Sequence, residues 1–558
     1  MFLRHKLLPV VFFFAFFFVG ASPNDAQQRG AGLVVSDSKL ATEAGMEILS
    51  RGGNAVDAAI ATAFALAVVD QAASGLGGGG FMLIYDARDK RAHALDFRET
   101  APEAARADLY VRNGKLAPSL SLTGGLAVAV PGEVAGLLTA MKRFGSLPLA
   151  VLMTPAIRLA TEGFPLDASL RYAIERQLSN MKKFPDLGRV FLVKDEVPPE
   201  GEIIRQTELG QTLKAIVSEG ADVFYHGWIA EAIVDAVRKE GGVLAFDDLS
   251  SYKPVWREPL VGRYRNRMVV TMPPPSSGGV ALIQMLNVLE GHQLHQLAHN
   301  SGTYLHLIAE AMKHAFADRA QYLGDPDFVK APIPTLISKD YAAWIRGRIS
   351  PSKTYPAKYY GLRNFNAEQG GTTHLSVLDR FGNAVACTLS VNTRFGSKIL
   401  VPKTGIVLNN EIDDFAIYPS GNVYGLVGNE ANALEPKKRP LSSMTPTIIL
   451  QGDRPELIVG AAGGPRIISA TLQTIINILD FHMPIKEAVE TPRIHHQWIP
   501  EEINVETKLG PEAKKSLERR GHSVRERTGL GVVQAILAKR SKLAGAVDSR
   551  KEERGRSD

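Results

Sequence analysis

Two adjacent glycines run straight into an alternating strand in Gly370-Gly371-Thr372-Thr373-His374-Leu375-Ser376-Val377-Leu378-Asp379, and this stretch constrains the chain more than any other. Paired glycines let the backbone strain and approach closely, as a main-chain rearrangement needs. A threonine hydroxyl is a poor nucleophile unless a base sits beside it. One solution is to make the threonine a new chain end, so that its own α-amine serves as the base. An α-amine titrates near ~8, close to the working range of a general base at neutral pH. The stretch therefore reads as a self-cleavage site between Gly371 and Thr372, followed by the strand that carries the nucleophile. Taken alone, Gly-Gly-Thr-Thr is more often a plain turn entering a strand, so the surrounding motifs have to decide.

The register of that strand can be argued from its loop. Thr372–Asp379 and Asn383–Asn392 flank Arg380-Phe381-Gly382, and a three-residue hairpin loop with glycine last is a common type. If Asp379 and Asn383 close the loop, Ser390 falls opposite Thr372. Ser390 and Asn392 then share a face, since strand side chains alternate. A slip of one residue would turn both away.

Upstream, Lys39 to Arg51 has a helical pattern that Gly52-Gly53 stops, and Asn54 can cap a second, alanine-rich helix from Ala55 to Val69. Small residues all round predict a buried helix. Ser74 to Gly80 is glycine-rich, but it follows a helix and opens the strand Phe81–Tyr85. A phosphate-binding loop needs the reverse order, so close backbone approach is the reading here. From about Leu120 to Tyr360 the pattern is mainly helical, with segments at 155–161, 209–219 and 303–321. Met272 to Gly279 is a rigid loop into a helix with no chemistry assigned. Later, Gly460 to Arg466 leads into a helix reaching about Leu479, with Pro465 at its first turn. Glycines at a helix N-terminus present N–H groups to an anion such as a tetrahedral intermediate.

In order along the chain, these motifs resemble the γ-glutamyltranspeptidases, also called glutathione hydrolases. The resemblance spans about Val34 to Ser549 and rests on Gly-Leu-Gly-Gly-Gly-Gly-Phe-Met at 75–82, Asp96-Phe97-Arg98-Glu99, Thr372-Thr373-His374, Asn409-Asn410-Glu411-Ile412-Asp413-Asp414-Phe415, Leu441-Ser442-Ser443-Met444 and Gly463-Gly464. It implies an α+β fold of the N-terminal-nucleophile hydrolase type, a four-layer αββα sandwich. It implies processing into a large subunit, residues 22–371, and a small catalytic subunit, residues 372–558, that share one core. Thr372 is then the nucleophile, Ser390 its support, and Gly463 and Gly464 the oxyanion pair. Arg98, Asn392, Ser442 and Ser443 are expected to hold a substrate α-carboxylate, Glu411 and Asp414 its α-ammonium, with Ser390 and Gly464 also against substrate and Tyr424 gating a lid loop. A guanidinium fork fits a carboxylate with two parallel hydrogen bonds. The family usually has threonine at position 390, and serine keeps the hydroxyl while losing a methyl.

The implied substrates are small molecules: glutathione, other γ-glutamyl compounds, and acceptor amino acids or dipeptides. No cofactor and no metal are expected. His306, Lys313 and His314 lack an ordered ligand spacing and read as surface or core residues, and adjacent His495 and His496 point oppositely if they lie on a strand. The net charge of +6 comes without a Lys/Arg stripe interleaved with aromatics, which argues against nucleic acid. At the N-terminus, Arg4, His5 and Lys6 precede the 13-residue apolar run Leu7–Val19, too short for a span of ~20 residues. Residues 1–21 read as a signal peptide cut after Ala21, with Ala26 as the alternative cut and an uncleaved N-terminal anchor as the alternative reading. This predicts an exported protein, periplasmic or else secreted, with no stable membrane span after cleavage. The single cysteine, Cys387, excludes an internal disulfide and reads as a small buried hydrophobe. Two rival readings remain: a related acylase of the cephalosporin or poly-γ-glutamate type, and an unprocessed exported binding protein.

Overall fold

The computed structural model describes residues 30, 32–361, 371–417, 422–428, 430–539 and 542–551. The proposed signal peptide lies outside them. In chain order, the elements that position the site are β1 (Gly32–Ser36), α1 (Lys39–Ser50), α2 (Ala55–Val69), β2 (Gly79–Asp86), β3 (Arg91–Phe97), β4 (Val255–Arg257), β5 (Leu260–Tyr264), β6 (Arg267–Thr271), α3 (Gly278–Glu290) and α4 (Gly302–Tyr322). After the proposed cut come β7 (Thr372–Asp379), β8 (Ala384–Ser390), β9 (Thr447–Gln451), β10 (Arg454–Ala462), α5 (Arg466–Leu479), α6 (Pro511–Arg519), β11 (Val532–Lys539) and β12 (Lys542–Val547).

Two six-stranded sheets result, one in the order β1-β7-β8-β2-β3-β4 and the other β12-β11-β10-β9-β6-β5. Their pairings are antiparallel throughout. Each sheet mixes strands from both sides of residue 371, which is why cleavage there would leave one interlocked core. Strand alternation sorts the side chains into layers. Met82, Ile84, Leu375, Val377, Cys387 and Leu389 pack against α1 and α2. Phe81, Leu83, Tyr85, Leu378 and Ala386 pack instead toward the second sheet, on the face that carries Ile458 and Ile536, while its far face carries α3 and α5. The four layers are thus helix, sheet, sheet, helix.

Local chemistry explains several boundaries. The Asn54 side chain accepts hydrogen bonds from the N–H groups of Val56 and Asp57, while Asp57 accepts from the Asn54 N–H, a reciprocal capping box. Every residue of α2 is buried, as its small side chains predict. The hairpin after β7 closes between Asp379 and Asn383, with Gly382 at φ +90° supplying the left-handed residue. The sequence reading missed β4, β5 and β6, which lie inside the stretch it took as mainly helical. They are 3, 5 and 5 residues long, too short for periodicity to separate a strand from a helical turn.

Candidate active site

Thr372 opens β7 in the interior of the first sheet, and the register pairs it with Ser390. Thr372, His374, Ser376 and Leu378 alternate onto the face between the two sheets. The His374 ring lies against Gly460, where a Cβ would stand 2.2 Å from it. Burial pushes this imidazole down to about 3, so it is neutral there, bonded at 2.8 Å to the Thr388 hydroxyl. Gly371 is equally confined, since a Cβ there would meet the Ala72 carbonyl at 2.8 Å.

The hydroxyl geometry at Thr372 settles the proton directions. Ser390 Oγ lies 3.2 Å from the Gly371 carbonyl oxygen, which can only accept, so Ser390 donates there. Its lone pairs take the Asn392 N–H at 2.8 Å and face Thr372 Oγ1 at 3.4 Å. Asn392 holds a left-handed φ of +73°. Its carbonyl accepts from the Gly371 N–H at 2.8 Å and from the Tyr424 hydroxyl at 2.6 Å, and its amide donates to the Asn410 carbonyl at 2.9 Å. The Gly371–Thr372 bond is therefore gripped on both sides, with its carbonyl already polarised.

Gly463 and Gly464 end the run from β10, and α5 starts two residues later. Both have positive φ, +126° and +60°. Gly464 also has to be glycine for space, because a Cβ would stand 2.6 Å from the Tyr424 ring. Thr372, Ser390, Asn392, Tyr424 and Gly464 line one small cavity together with Arg98, Asp414, Ser442 and Ser443. Gly463 borders Thr372 from a second cavity on the other side.

Charge is concentrated at the far wall. The Arg98 guanidinium is buried and touches Glu411 at 2.7 Å and Asp414 at 2.5 Å, with Glu99 at 3.6 Å. Burial works against its charge, and Glu411, Asp414 and Glu99 more than offset this, so its pKa is raised. Burial drives the Glu411 carboxyl well above its usual range, against the pull of Arg98. Neither Glu411 oxygen accepts a hydrogen bond. Asp414 is held from the other side by the Asn422 amide at 2.9 Å. The sequence reading put opposite charges on two sides of a pocket; here they are in direct contact, so a zwitterion would insert into an ion network already assembled.

The site residues expected from sequence are all brought together, but four supports were missed. Ser442 is fixed by parallel bridging to Ser276, and its carbonyl accepts from Ser277 through both N–H (2.8 Å) and hydroxyl (2.6 Å). Ser277 Oγ in turn accepts from buried Arg319 of α4 at 2.9 Å. The signal was present in Pro273-Pro274-Pro275-Ser276-Ser277, the loop left without a role. The fourth is Glu99, whose buried carboxylate oxygens accept no hydrogen bond and border Gly79. Ser443 Oγ is buried without a partner, leaving a hydroxyl for a ligand. The lining supplies hydroxyls, amides, the Arg98 guanidinium and the Asp414 carboxylate.

The family profile described as Gamma-glutamyltranspeptidase matches residues 41–557. The chain belongs to the γ-glutamyltranspeptidase family. It is an enzyme of that family, similar to the glutathione hydrolase proenzyme of Escherichia coli K12, 42% identical over 526 residues that cover 93% of this chain and 90% of that protein. The glutathione hydrolase proenzyme of Pseudomonas sp. A14 is also 42% identical, over 92% and 90%. Among solved structures, a cephalosporin acylase from Bacillus halodurans superposes with a TM-score of 0.82 at 30% identity, covering 93% of this chain and 94% of that one. The γ-glutamyltranspeptidase of Helicobacter pylori gives 0.57 at 41% identity, covering 58% and 94%. The αββα arrangement expected of an N-terminal-nucleophile hydrolase is therefore the fold of this γ-glutamyltranspeptidase.

Proposed function

We propose that this γ-glutamyltranspeptidase cuts itself before Thr372 and then hydrolyses or transfers the γ-glutamyl group of glutathione and related amides. The observation that carries the reading is the Ser390 hydroxyl, which bonds the Gly371 carbonyl while standing beside Thr372 Oγ1. Attack of Thr372 Oγ1 on that carbonyl carbon, with expulsion of the Thr372 nitrogen, leaves an ester. Water then hydrolyses the ester to a Gly371 carboxylate and a free Thr372 α-amine. The name proenzyme on the relatives fits such a step.

In the cut enzyme the α-amine takes the proton from Oγ1, and the oxygen attacks the substrate γ-carbonyl. The N–H groups at Gly463 and Gly464 face the oxyanion. Collapse expels the amine with the proton and leaves a γ-glutamyl ester on Thr372. Water or an acceptor amine resolves it. Arg98, Asn392, Ser442 and Ser443 hold the substrate carboxylate, and Glu411 and Asp414 hold its ammonium. Tyr424 covers the ester against water. The signal-like N-terminus supports export of the precursor, to the periplasm or beyond.

Shape alone favours the cephalosporin acylase reading equally, given its TM-score of 0.82. Charge argues against it, because Glu411 and Asp414 share the single Arg98 guanidinium, and a substrate that brings a carboxylate to Arg98 without an α-ammonium leaves two buried carboxylates short of positive charge. The test is a γ-glutamyl anilide assay beside a denaturing gel. Wild type should give fragments of about 40 and 20 kDa, the division of 60.5 kDa at residue 371, and turn over the anilide. Thr372→Ala should stay whole and inactive. Splitting or turnover by Thr372→Ala would sink the proposal.

A further inference from the structure

Outside the cavity at Thr372, α4 and the turn after α6 bring three buried ligating side chains to one point. His306 and Glu310 lie one helical turn apart on α4 and share a face. His522 arrives from the turn after α6, which packs against α4. One ligand atom from each of the three lies within 4.8 Å of the other two, and all three side chains are buried. His306 Nδ1 and His522 Nε2 are 2.8 Å apart.

A backbone group fixes which nitrogen is available. His306 Nε2 lies 2.7 Å from the Ser350 carbonyl oxygen, so that nitrogen carries the proton and Nδ1 presents a bare lone pair. A carbonyl accepting from the distal ring nitrogen is the usual second contact of a metal-binding histidine. Beyond His522 opens a cavity of 210 Å³, lined also by Lys313, Thr354, His496 and Glu501.

We propose that His306 Nδ1, His522 Nε2 and a Glu310 carboxylate oxygen bind one divalent cation of the zinc class, with a water from the cavity in the fourth position. Two imidazole nitrogens and one carboxylate are a zinc-type donor set. Nitrogens sharing a tetrahedral ion at ~2.0–2.1 Å stand roughly 3.3 Å apart, so the two rings need to part by only about half an ångström. His522 binds as the neutral ring, its proton moving from Nε2 to Nδ1, and no net proton is released.

The site carries its own competitor. Glu310 is paired with the Lys313 ammonium and also accepts from the Thr354 hydroxyl at 2.8 Å and the Tyr360 hydroxyl at 2.6 Å. An incoming ion has to displace that ammonium, and Glu501 on the same cavity wall offers Lys313 a new partner. Since α4 precedes residue 371 and His522 follows it, the ion would tie the two proposed subunits together. That consequence depends on the processing reading; the binding itself does not.

The experiment titrates cobalt(II) into tag-free full-length protein after chelation and dialysis, and then displaces it with zinc(II). The expected result is one equivalent bound, with the visible absorption of four-coordinate cobalt. His522→Gln and Glu310→Gln should weaken binding at least about 10- to 100-fold, the range seen when even an outer contact is lost. Lys313→Met should tighten it. Uncut Thr372→Ala should bind as wild type does, so failure of the processing proposal leaves this result standing. No saturable binding by wild type, undiminished binding by His522→Gln, or binding only by Lys313→Met would each overturn the proposal. The last outcome would make the lysine the permanent cation of the site.

Discussion

Replacing Ser390 by alanine removes one oxygen that does three things: it donates to the Gly371 carbonyl, accepts the Asn392 N–H and faces Thr372 Oγ1. The first loss acts on the cut. Deleting one donor to a carbonyl that is becoming an oxyanion typically costs ~10²–10³ in rate, about 2.7–4 kcal/mol. The second loss acts on stability, because a buried N–H left without an acceptor costs about 1–3 kcal/mol. The two are separable. Precursor made at low temperature and then warmed can be followed on a denaturing gel for appearance of the small fragment, while urea melts give the stability. Ser390→Ala should process at least 100-fold more slowly than wild type and melt at lower urea. Ser390→Thr, which restores the hydroxyl, should recover most of the rate. If Ser390→Ala splits at the wild-type rate while losing stability, the serine is only a structural bond to Asn392, and the role argued for it at the scissile carbonyl is wrong.

Other consequences can be measured directly. Arg98→Lys keeps the charge but cannot reach Glu411, Asp414 and a substrate carboxylate together, so the KM for a γ-glutamyl anilide should rise roughly 10- to 100-fold, the ~1.5–3 kcal/mol of a charged hydrogen bond. An unchanged KM would remove Arg98 from the clamp. Gly464→Ala puts a methyl 2.6 Å from the Tyr424 ring and should cut anilide turnover while the far-ultraviolet circular dichroism stays native; full activity would mean that Tyr424 need not sit there. Acid should weaken the fold through buried histidines. Burial holds His374 down to about 3, and burial with Arg466 nearby does the same to His495, against ~6.5 unfolded. With the folded pKa below the unfolded one, the stability they contribute is complete above pH ~6.5 and falls with pH toward 3, by about 1.4 kcal/mol per unit for each. Because burial also raises Asp70, Asp318 and Asp413, which oppose this loss, the effect is read as the difference between wild type and His495→Gln in urea melts: wild type should lose about 1.5–2 kcal/mol more than the variant between pH 6.5 and 5. The same pH dependence in wild type and His495→Gln would contradict this.

Much of the site was legible because its parts are written locally. The Thr372–Ser390 pairing follows from a three-residue loop and a period of two, both of which depend only on neighbours in sequence. Asn54 capping α2 and Gly463-Gly464-Pro465 opening α5 are equally local. The short strands β4, β5 and β6 were not legible, because so few residues carry no decisive periodicity.

By itself, then, the sequence determined which segments are strands and helices around residue 372, and that a hydroxyl pair meets at the start of β7. Only the tertiary structure decided that Arg98 lies against Glu411 and Asp414, more than 300 residues away, that Arg319 braces Ser442 through Ser277, and that His522 meets His306 on α4. The physical reason is one of range. Backbone geometry couples a residue to those a few positions away. Which buried charge meets which is fixed only when two sheets and their covering helices close on one another and leave each ion no water to turn to.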